Sequence, residues 1–504
     1  MTAARSNPWW LDLAPVGFYT GWVLWGMAAL MGAPVLVALA SGEWTVVPDF
    51  LIGAGASLLL GSGLVILFRR ADRRLTWSRG MLAVAVSWLV AMLVSAIPSW
   101  LSGHYGSYLD ASFDVMSGFT TTGLALIKDL DHVSDGLNTW RHLLSYLGGQ
   151  GMIVLTLTFL LSGLPGAYKL YVGEGKDERL FPSAVRTARA IWVISLVYLG
   201  VGTIVLGVLA WLAGLPPYRA FLHGMWVFMA AFSTGGFAPN SQNMIFYHSF
   251  VFEIGTMVFF VIGSLNFGLH YAVWAGRWRE LYRNLEAQVF VGVSLIGTVL
   301  AVAALAGGRP YSGSVDLFRR GVYQVISAQT TTGFMTVYPG QFGGQWGGLA
   351  ILVLTVAMLI GGSASSTAGG FKGLRVGLAV KTLTHEIRRL LAPESALTVT
   401  KFHFFRDFTL EERQVRSAFL IMGLYVLTFT TLALATAAAG YPVKEAVFEA
   451  ASATGNVGLT IGVATPLMPS PLKALFIVVM WAGRLEFMAV LVLVGYLLRG
   501  RRMR

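Results

Sequence analysis

Four segments of the chain end in a glycine that follows small and hydroxyl-bearing residues. They read FDVMSGFTTTG (113–123), MWVFMAAFSTGG (225–236), VYQVISAQTTTG (322–333) and VFEAASATGNVG (447–458). A bulky residue follows each glycine, and another glycine recurs 25 to 28 positions later, at Gly148, Gly263, Gly361 and Gly483. A pattern that recurs four times with a common spacing indicates an internal repeat.

The chemistry that such segments can do is the coordination of a monovalent cation by backbone carbonyl oxygens. Irregular backbone at membrane depth is tolerated only where it is buried in protein or lines a watery cavity. Four loops around one axis meet this condition together, and their carbonyl oxygens can replace the hydration shell of an ion such as K⁺. Glycine is suited to the position because positive φ costs it little and its backbone can be approached closely. A single copy would be an ordinary loop with capping hydroxyls, but four copies in register favour an ion filter.

The elements that position these loops are predicted to be membrane helices. The 504 residues are 56% hydrophobic and 12% charged, with a mean hydropathy of +0.67, whereas soluble chains carry about a quarter charged residues. Apolar windows long enough to cross about 30 Å of hydrocarbon recur along the chain. We predict an all-α, polytopic membrane protein with ten transmembrane helices, at about 21–40, 50–68, 81–98, 143–161, 191–212, 251–274, 289–305, 348–376 (interrupted), 418–438 and 472–498.

The net charge of +12 does not indicate nucleic-acid binding, because the basic residues form no patch beside base-stacking elements. Most of them fall in alternate connections, at 69–79, 169–189, 277–283, 372–416 and 499–504, which predicts that both termini are cytoplasmic. The chain has no cysteine, and its histidines have no metal-site spacing. No nucleophile, base and carboxylate pair gather at one depth, so we predict that the protein is not an enzyme.

Two further features fall within predicted spans. The eighth span is interrupted at residues 361–373, which have almost no large apolar side chain, so this segment is either an intramembrane loop or a small-residue packing seam. Arg484 lies far from either end of the tenth span, where a charge is costly and indicates function. Glu486 falls on a different helix face and is predicted to satisfy another polar neighbour. Asp114 and Glu449, on the predicted half-spans, either attract cations or tie the half-span to its neighbours.

These motifs resemble the Trk/Ktr/HKT superfamily of K⁺ transporters, in which one chain mimics a tetrameric K⁺ channel. The resemblance covers residues 81–504, and the two leading helices are similar to an addition in the Trk branch. It implies a selectivity filter with glycine in all four loops, as in K⁺-preferring members, although the fourth copy departs from the threonine-rich pattern. The implied filter residues are Thr121, Thr122, Gly123, Thr234, Gly235, Gly236, Thr331, Thr332, Gly333, Asn456, Val457 and Gly458.

The resemblance also implies how the pore is controlled. In the family, the matching interrupted segment is an intramembrane loop that obstructs the pore, and an arginine at the place of Arg484 acts as a brake. The implied gating residues are Gly362, Ser363, Ser365, Ser366, Thr367, Gly369, Gly370, Lys372 and Arg484, although Lys372 could equally be a positive-inside anchor. Expected partners are membrane lipids, a second copy of the chain in a homodimer, and a cytosolic Rossmann-type nucleotide-binding regulatory subunit (TrkA-like). The basic inner segments could dock that subunit or serve orientation alone.

The predicted organisation is two extra N-terminal helices (1–75) and four pore repeats (76–175, 176–285, 286–395 and 396–504), the third with the gating loop. K⁺ is expected as the transported ion in the inner membrane, without a covalent cofactor. The alternative is a secondary transporter of an organic substrate with broken helices. That alternative predicts inverted repeats, whereas the repeats here all run in the same direction.

Overall fold

In the part of the chain that the structure describes, the regular secondary structure is helical except for one short hairpin, and the predicted all-α class is confirmed. The computed structural model describes residues 13–502, with gaps at 71–75, 156–183, 309–310, 312, 394 and 396–397. The predicted end of the fourth span at residue 161 and most of the basic segment 169–189 lie outside the described residues.

Three leading helices pack on the first repeat. Ala14–Leu30 and Gly32–Ala40 are separated by a single residue, and Val47–Leu67 returns antiparallel to them. Gly21 and Gly61 face each other, and a methyl group on either would meet the other's carbonyl oxygen at less than 3 Å. The Thr20 hydroxyl lies 3.0 Å from that of Ser87 on the next helix. Large apolar side chains elsewhere on Val47–Leu67 are exposed, as expected of a helix that faces lipid.

The remaining chain repeats one arrangement four times, in the order long helix, short half-helix, glycine loop and returning helix. The long helices are Trp77–Leu101, Ala184–Leu212, Leu285–Gly308 and Glu412–Ala438. We name the short ones half-helix 1 (Tyr108–Phe119), half-helix 2 (Pro217–Phe232), half-helix 3 (Tyr323–Gln329) and half-helix 4 (Val443–Gly455). The returning helices are Asp135–Leu155, Phe250–Ser264 with Phe267–Trp274, Gly348–Ile360 with Gly373–Leu391, and Ser470–Arg484 with Met488–Arg502.

The half-helices begin at local signals in the sequence. The Ser107 side chain accepts a hydrogen bond from the Asp110 amide and caps half-helix 1. Half-helix 2 begins with Pro217, whose fixed φ suits the first helical turn. Half-helix 3 continues from a π-helical turn, Leu317–Val322, in which the backbone hydrogen bonds join residues five apart instead of four.

Two spans predicted as continuous helices are broken, which corrects the prediction for 251–274 and 472–498. Phe250–Ser264 and Phe267–Trp274 are bent by 101°, and Ser470–Arg484 and Met488–Leu498 by 114°. At the first break the Asn266 side chain accepts from the Gly268 amide and starts a new helix. At the second break Glu486 and Phe487 adopt positive φ. Neither break contains a proline, and the hydropathy stays high across both, so the sequence pattern does not predict the bends.

In the described part of the chain, six helices are long and apolar enough to cross a membrane, or up to eight if each bent pair is one span. The interrupted eighth span adds a shorter apolar helix, Gly348–Ile360. A polytopic membrane protein is therefore confirmed, while the count of ten spans and the repeat boundaries stay predictions.

A two-stranded antiparallel hairpin, Lys401–Phe404 with Arg406–Thr409, connects repeats 3 and 4. Its buried aromatic residues Phe402, Phe404 and Phe408 pack with Leu285 and Leu378. The hairpin thereby packs on the first and last helices of repeat 3.

Candidate functional site

The four glycine loops have the same backbone conformation. The residue two positions before each glycine has a φ between 52° and 56°, and the glycine itself has a φ between 63° and 94°. The first set is Thr121, Thr234, Thr331 and Asn456, and the second is Gly123, Gly236, Gly333 and Gly458. Asparagine tolerates the left-handed region better than most residues, so Asn456 preserves the loop shape where the fourth sequence departs from the others.

One hydrogen bond recurs at the end of each half-helix. The amide of the residue before the glycine donates to the carbonyl oxygen five residues earlier, at 2.8 to 2.9 Å. The four pairs are Thr122 to Ser117, Gly235 to Ala230, Thr332 to Ser327, and Val457 to Ser452. These bonds satisfy the amides of the loops against their own half-helices, and the carbonyl oxygens of the donating residues are left to face the neighbouring loops.

The loops meet in a closed ring. A side chain built on Gly123 would collide with the carbonyl oxygen of Gly235 in the second loop. Likewise, one on Gly236 would meet Thr332, one on Gly333 would meet Val457, and one on Gly458 would meet Thr122 of the first loop. The contacts run in the order 1, 2, 3, 4 and back to 1, so all four predicted loops are brought together.

Three of the four recurring glycines make room for the end of a half-helix, whereas a side chain on the fourth, Gly361, would meet the Gly369 carbonyl oxygen of its own loop. A side chain on Gly148, Gly263 or Gly483 would collide with the last carbonyl oxygens of a half-helix, those of Phe119, Phe232 and Thr454. In repeat 3 the Gln329 side chain, at the equivalent position, donates to the Gly361 carbonyl oxygen at 2.7 Å. The spacing in the sequence therefore reports how closely each half-helix end approaches the helix that follows it.

The side chains of the ring are buried in protein. Thr121, Thr122, Thr234, Thr331 and Thr332 have no exposed surface. The hydroxyls of Thr120 and Thr330 form hydrogen bonds at 2.8 Å with the hydroxyls two residues later, those of Thr122 and Thr332. Burial of this kind is what irregular backbone requires at membrane depth.

Asn456 joins the fourth loop to the first. Its side-chain amide donates to the Thr122 hydroxyl at 3.0 Å and to the Met480 carbonyl oxygen at 2.9 Å. The departure from a threonine-rich sequence thus adds a contact across the ring without changing the backbone conformation.

The segment that interrupts the eighth span is a loop, not a packing seam. Helix ends at Ile360 and resumes at Gly373, and we name Gly361–Lys372 between them the interrupting loop. Its residues are buried except for Ser365 and Phe371, which are partly exposed. Gly361, Ser365, Gly370 and Lys372 have positive φ, so the loop is irregular backbone enclosed by protein.

The interrupting loop lies directly against the ring. The Gly369 amide donates to the Thr331 hydroxyl at 2.7 Å, and the Thr234 hydroxyl lies 3.2 Å from that of Thr367. Thr367 also donates to the Gly263 carbonyl oxygen at 2.8 Å. A side chain on Gly369 would collide with the Gly455 carbonyl oxygen at the end of half-helix 4. The loop therefore contacts repeats 2, 3 and 4 immediately beside their glycine loops.

Further bonds hold the loop to the break in repeat 2. The Ser363 amide donates to Ser264 O at 3.0 Å, and the Ser365 carbonyl oxygen accepts from the Phe267 amide at 3.2 Å. Ser366 donates to the Ser363 carbonyl oxygen at 2.6 Å, and Gly362 accepts from the Gly373 amide at 2.7 Å. The bend in repeat 2 is thus the seat of the interrupting loop.

Four charged side chains bond to the backbone of the loop, and one of them, Arg375, donates to the Phe371 carbonyl oxygen at 3.0 Å. The Lys372 ammonium, on a residue that is 5% exposed, donates to the Ala368 carbonyl oxygen, so the residue is buried against the loop. Glu286 accepts from the Ala364 amide at 2.6 Å and from the Asn266 side chain at 3.3 Å. Arg484 donates to the Thr367 carbonyl oxygen and reaches Gly148 and Gly149 of repeat 1 at 3.2 and 3.3 Å.

Glu486 pairs with Arg375, which is a polar neighbour other than Arg484, as the sequence predicts. Asp114 and Glu449 are 1% and 0% exposed and tie their half-helices to neighbouring groups, so the second alternative for them holds. Asp114 pairs with Arg141 at 3.0 Å.

Arg141 and Glu286 were not identified from the sequence. Both are charged residues that are at most 1% exposed and lie just before predicted spans, at 143 and 289. The rule that singles out Arg484 does not apply to them, because a charge this close to the end of a span can reach the interface.

The chain is similar over most of its length to cation transport proteins. Residues 47–499 match the family TrkH, described as a cation transport protein. An uncharacterized cation transporter of Methanocaldococcus jannaschii is 30% identical over 475 residues, which cover 94% of each chain. The Trk system potassium uptake protein TrkH of Vibrio parahaemolyticus is 29% identical and covers 92% of this chain and 94% of its own. The crystal structure of the potassium transporter TrkH from Vibrio parahaemolyticus superposes with a TM-score of 0.82 at 27% identity, covering 95% of this chain and 98% of that one.

Proposed function

The chain belongs to the TrkH family of cation transport proteins, and on that premise we propose that it takes up K⁺ across the cytoplasmic membrane through the ring of glycine loops. The ring acts as the selectivity filter. The relatives named potassium uptake proteins support K⁺ as the ion, and the ring supports the route.

The closed order of contacts carries this proposal. Each loop places a carbonyl oxygen against the glycine of the preceding loop, and the first loop places one against the glycine of the fourth, so four equivalent sets of oxygens surround one axis. Carbonyl oxygens in this arrangement substitute for water around a desolvated K⁺. The half-helices end at the ring, and their partially negative C-termini favour a cation there. The amides of the loops are bonded to the half-helices and do not oppose the ion.

The interrupting loop and Arg484 form the proposed gate. The loop contacts the hydroxyls of Thr234 and Thr331, so an ion that leaves the ring on that side meets it directly. Arg484 holds the Thr367 carbonyl oxygen, and its positive charge repels a cation that approaches. Conduction requires the loop to leave this position, and the Lys372 contact with Ala368 must be lost or carried along when it does.

The remaining expectations belong to the same proposal. Both termini face the cytoplasm, where the positive-inside distribution of lysine and arginine puts them. A nucleotide-binding subunit docks on the cytoplasmic side and moves the gate, and two copies of the chain form the working unit. The basic residues on Gly373–Leu391 and near the hairpin are the described surface available for docking.

The test is Rb⁺ uptake into liposomes that contain the purified chain, with K⁺, Na⁺ and choline as competitors. We expect uptake that K⁺ blocks and choline does not. In a Gly333→Ser variant the new side chain collides with the Val457 carbonyl oxygen and distorts the ring, so Na⁺ should compete better than in the wild type. A Gly344→Ser variant is the matched control, because that glycine is exposed with nothing within 4 Å.

If liposomes with the wild-type chain take up no Rb⁺, the measurement is repeated with an Arg484→Ala variant, which lacks the proposed brake. Absence of uptake there as well would contradict a K⁺ pore. Uptake with unchanged selectivity in Gly333→Ser would contradict the filter assignment and leave transport itself intact.

A further inference from the structure

Polar side chains lie behind the ring at one repeated position. The residue nine positions before each ring glycine is Asp114, Val227, Gln324 or Glu449, in the order of the repeats. All four lie on half-helices and are buried. Three are polar, which is unexpected for a buried helix face unless each has partners.

In repeat 4 the polar residue is Glu449, and its partner is the segment of irregular backbone that follows Gly458, which we name the outgoing strand of the loop. Glu449 accepts from the Thr460 hydroxyl at 2.7 Å, from the Ile461 amide at 3.1 Å and from the Ala464 amide at 2.9 Å. Thr460 is two residues beyond Gly458. A single carboxylate therefore fixes the outgoing strand to half-helix 4 at three points.

In repeat 3 the same position does the same with an uncharged group. The Gln324 side-chain amide donates to the Thr336 hydroxyl at 2.9 Å, and Thr336 lies three residues beyond Gly333. The Ser327 hydroxyl, on the same half-helix, donates to the Phe334 carbonyl oxygen at 2.9 Å.

In repeat 2 the position is Val227, which cannot make such a bond, and the neighbouring repeat supplies the contacts. His142 lies 3.2 Å from the Phe237 carbonyl oxygen, and the Arg141 guanidinium lies 4.4 Å from the centre of the Phe237 ring. Phe237 directly follows Gly236. Arg141 is itself fixed by Asp114, the equivalent residue of repeat 1.

We propose that these buried side chains form a polar support behind the ring and set its discrimination between K⁺ and Na⁺. Glu449 and Gln324 are positioning residues for their own loops, and Arg141 with His142 positions the second loop from repeat 1. The inference rests on the proposed function, because it assumes that ions pass through the ring.

The physical reason is that carbonyl oxygens discriminate between two ions only while they keep a set spacing. Na⁺ is the smaller ion, and a loop that can move inward would surround it as well as K⁺. A site keeps its geometry when its coordinating groups are held by buried hydrogen-bonded neighbours. Removing one anchor from an outgoing strand should therefore weaken selectivity before it stops transport.

The experiment measures the ratio of Rb⁺ to Na⁺ uptake for Glu449→Gln in liposomes. Glutamine keeps the shape and occurs naturally at the equivalent position 324, but its amide nitrogen cannot accept the bonds that one carboxylate oxygen receives. We expect the ratio to fall roughly fivefold, the change that loss of one net hydrogen bond allows. Thr460→Val, which removes one donor and leaves the carboxylate, should lower the ratio in the same direction and covers the case in which Glu449→Gln fails to fold.

Asp135→Asn is the control, because Asp135 is a buried carboxylate paired with Arg219 at the N-terminal end of the helix that carries Arg141. Its ratio should equal that of the wild type. An unchanged ratio in both test variants, or an equal loss of Rb⁺ and Na⁺ uptake in properly folded protein, would overturn this inference alone. Absence of Rb⁺ uptake in both the wild-type protein and the Arg484→Ala variant would overturn the proposed function and this inference with it.

Discussion

The guanidinium of Arg484 donates a hydrogen bond to the Thr367 carbonyl oxygen, which joins the broken end of the last span to the middle of the interrupting loop. The same group reaches two carbonyl oxygens of repeat 1. One buried cation therefore connects repeats 1, 3 and 4 beside the ring.

Replacing Arg484 with alanine should raise Rb⁺ uptake in the absence of a partner subunit. We expect an increase of roughly tenfold, because about 1.4 kcal/mol taken from a barrier changes a rate tenfold. A unit charge a few ångströms from an ion is worth more than that at the dielectric of a protein. Arg484→Lys is the control, since it keeps the charge, and its uptake should stay near the wild-type rate. Equal uptake in all three proteins would argue against a brake.

Gly263→Ala should destabilise the protein. The added methyl group would meet the Phe232 carbonyl oxygen at the end of half-helix 2, and overpacking of this kind costs about 1–3 kcal/mol. Gly200→Ala, in a helix and with nothing within 4 Å, should instead be neutral or stabilising. Thermal unfolding of the detergent-solubilised variants measures both. A melting temperature for Gly263→Ala equal to that of Gly200→Ala would mean that the half-helix end moves freely.

Replacing one residue of the Arg375–Glu486 pair should lower the stability of the protein, and replacing both residues should lower it less. The two side chains are 6% and 12% exposed, and removal of one partner from a buried pair costs about 3–5 kcal/mol. We therefore expect Glu486→Gln to unfold at a lower temperature than the double variant Arg375→Met with Glu486→Leu. The reverse order would show that the charges act independently of each other.

Outside the membrane, Asp131 should respond to acid. Burial alone would raise the pKa of this carboxyl, but hydrogen bonds from the Ser241 hydroxyl and amide outweigh it and hold the pKa below its usual value. The contact therefore stabilises the protein above the ordinary carboxyl pKa and is lost as the pH falls through the lowered value. Hydrogen exchange at the Ser241 amide, corrected for its intrinsic pH dependence, should become faster below about pH 4.

The control for this prediction is Asp131→Ala, because the side-chain oxygen of an asparagine could still accept from the Ser241 amide. The Ser241 amide of Asp131→Ala should exchange faster already at neutral pH and change little on acidification. Protection that persists in Asp131→Ala at neutral pH would mean that the Ser241 amide is held by another group.

The sequence was sufficient to predict the features that depend on backbone freedom. The four glycine loops, the interrupted eighth span and the recurring glycine of the returning helices each leave a signature of residue type and spacing. The two bends did not, because their causes are tertiary. Glu486 adopts positive φ beside a partner, Arg375, that lies 111 residues earlier.

The sequence also does not predict the polar support behind the ring. Asp114 and Glu449 are unusual charged residues on apolar half-spans, but only the atoms they contact distinguish attraction of cations from attachment of the half-helix to its neighbours. Arg141 acts on the loop of another repeat, and no spacing along one chain reports such a contact.

The contact between Asn456 and Thr122 has a consequence for how this architecture can diversify. In an assembly of four identical subunits, any substitution appears simultaneously in every quadrant, and a residue that suits one position must suit all. A single continuous polypeptide escapes that constraint. Asn456 is a change made in one quadrant only, with its partner in the adjacent quadrant still threonine, so the two sides of one seam can evolve separately while the other three seams stay as they were.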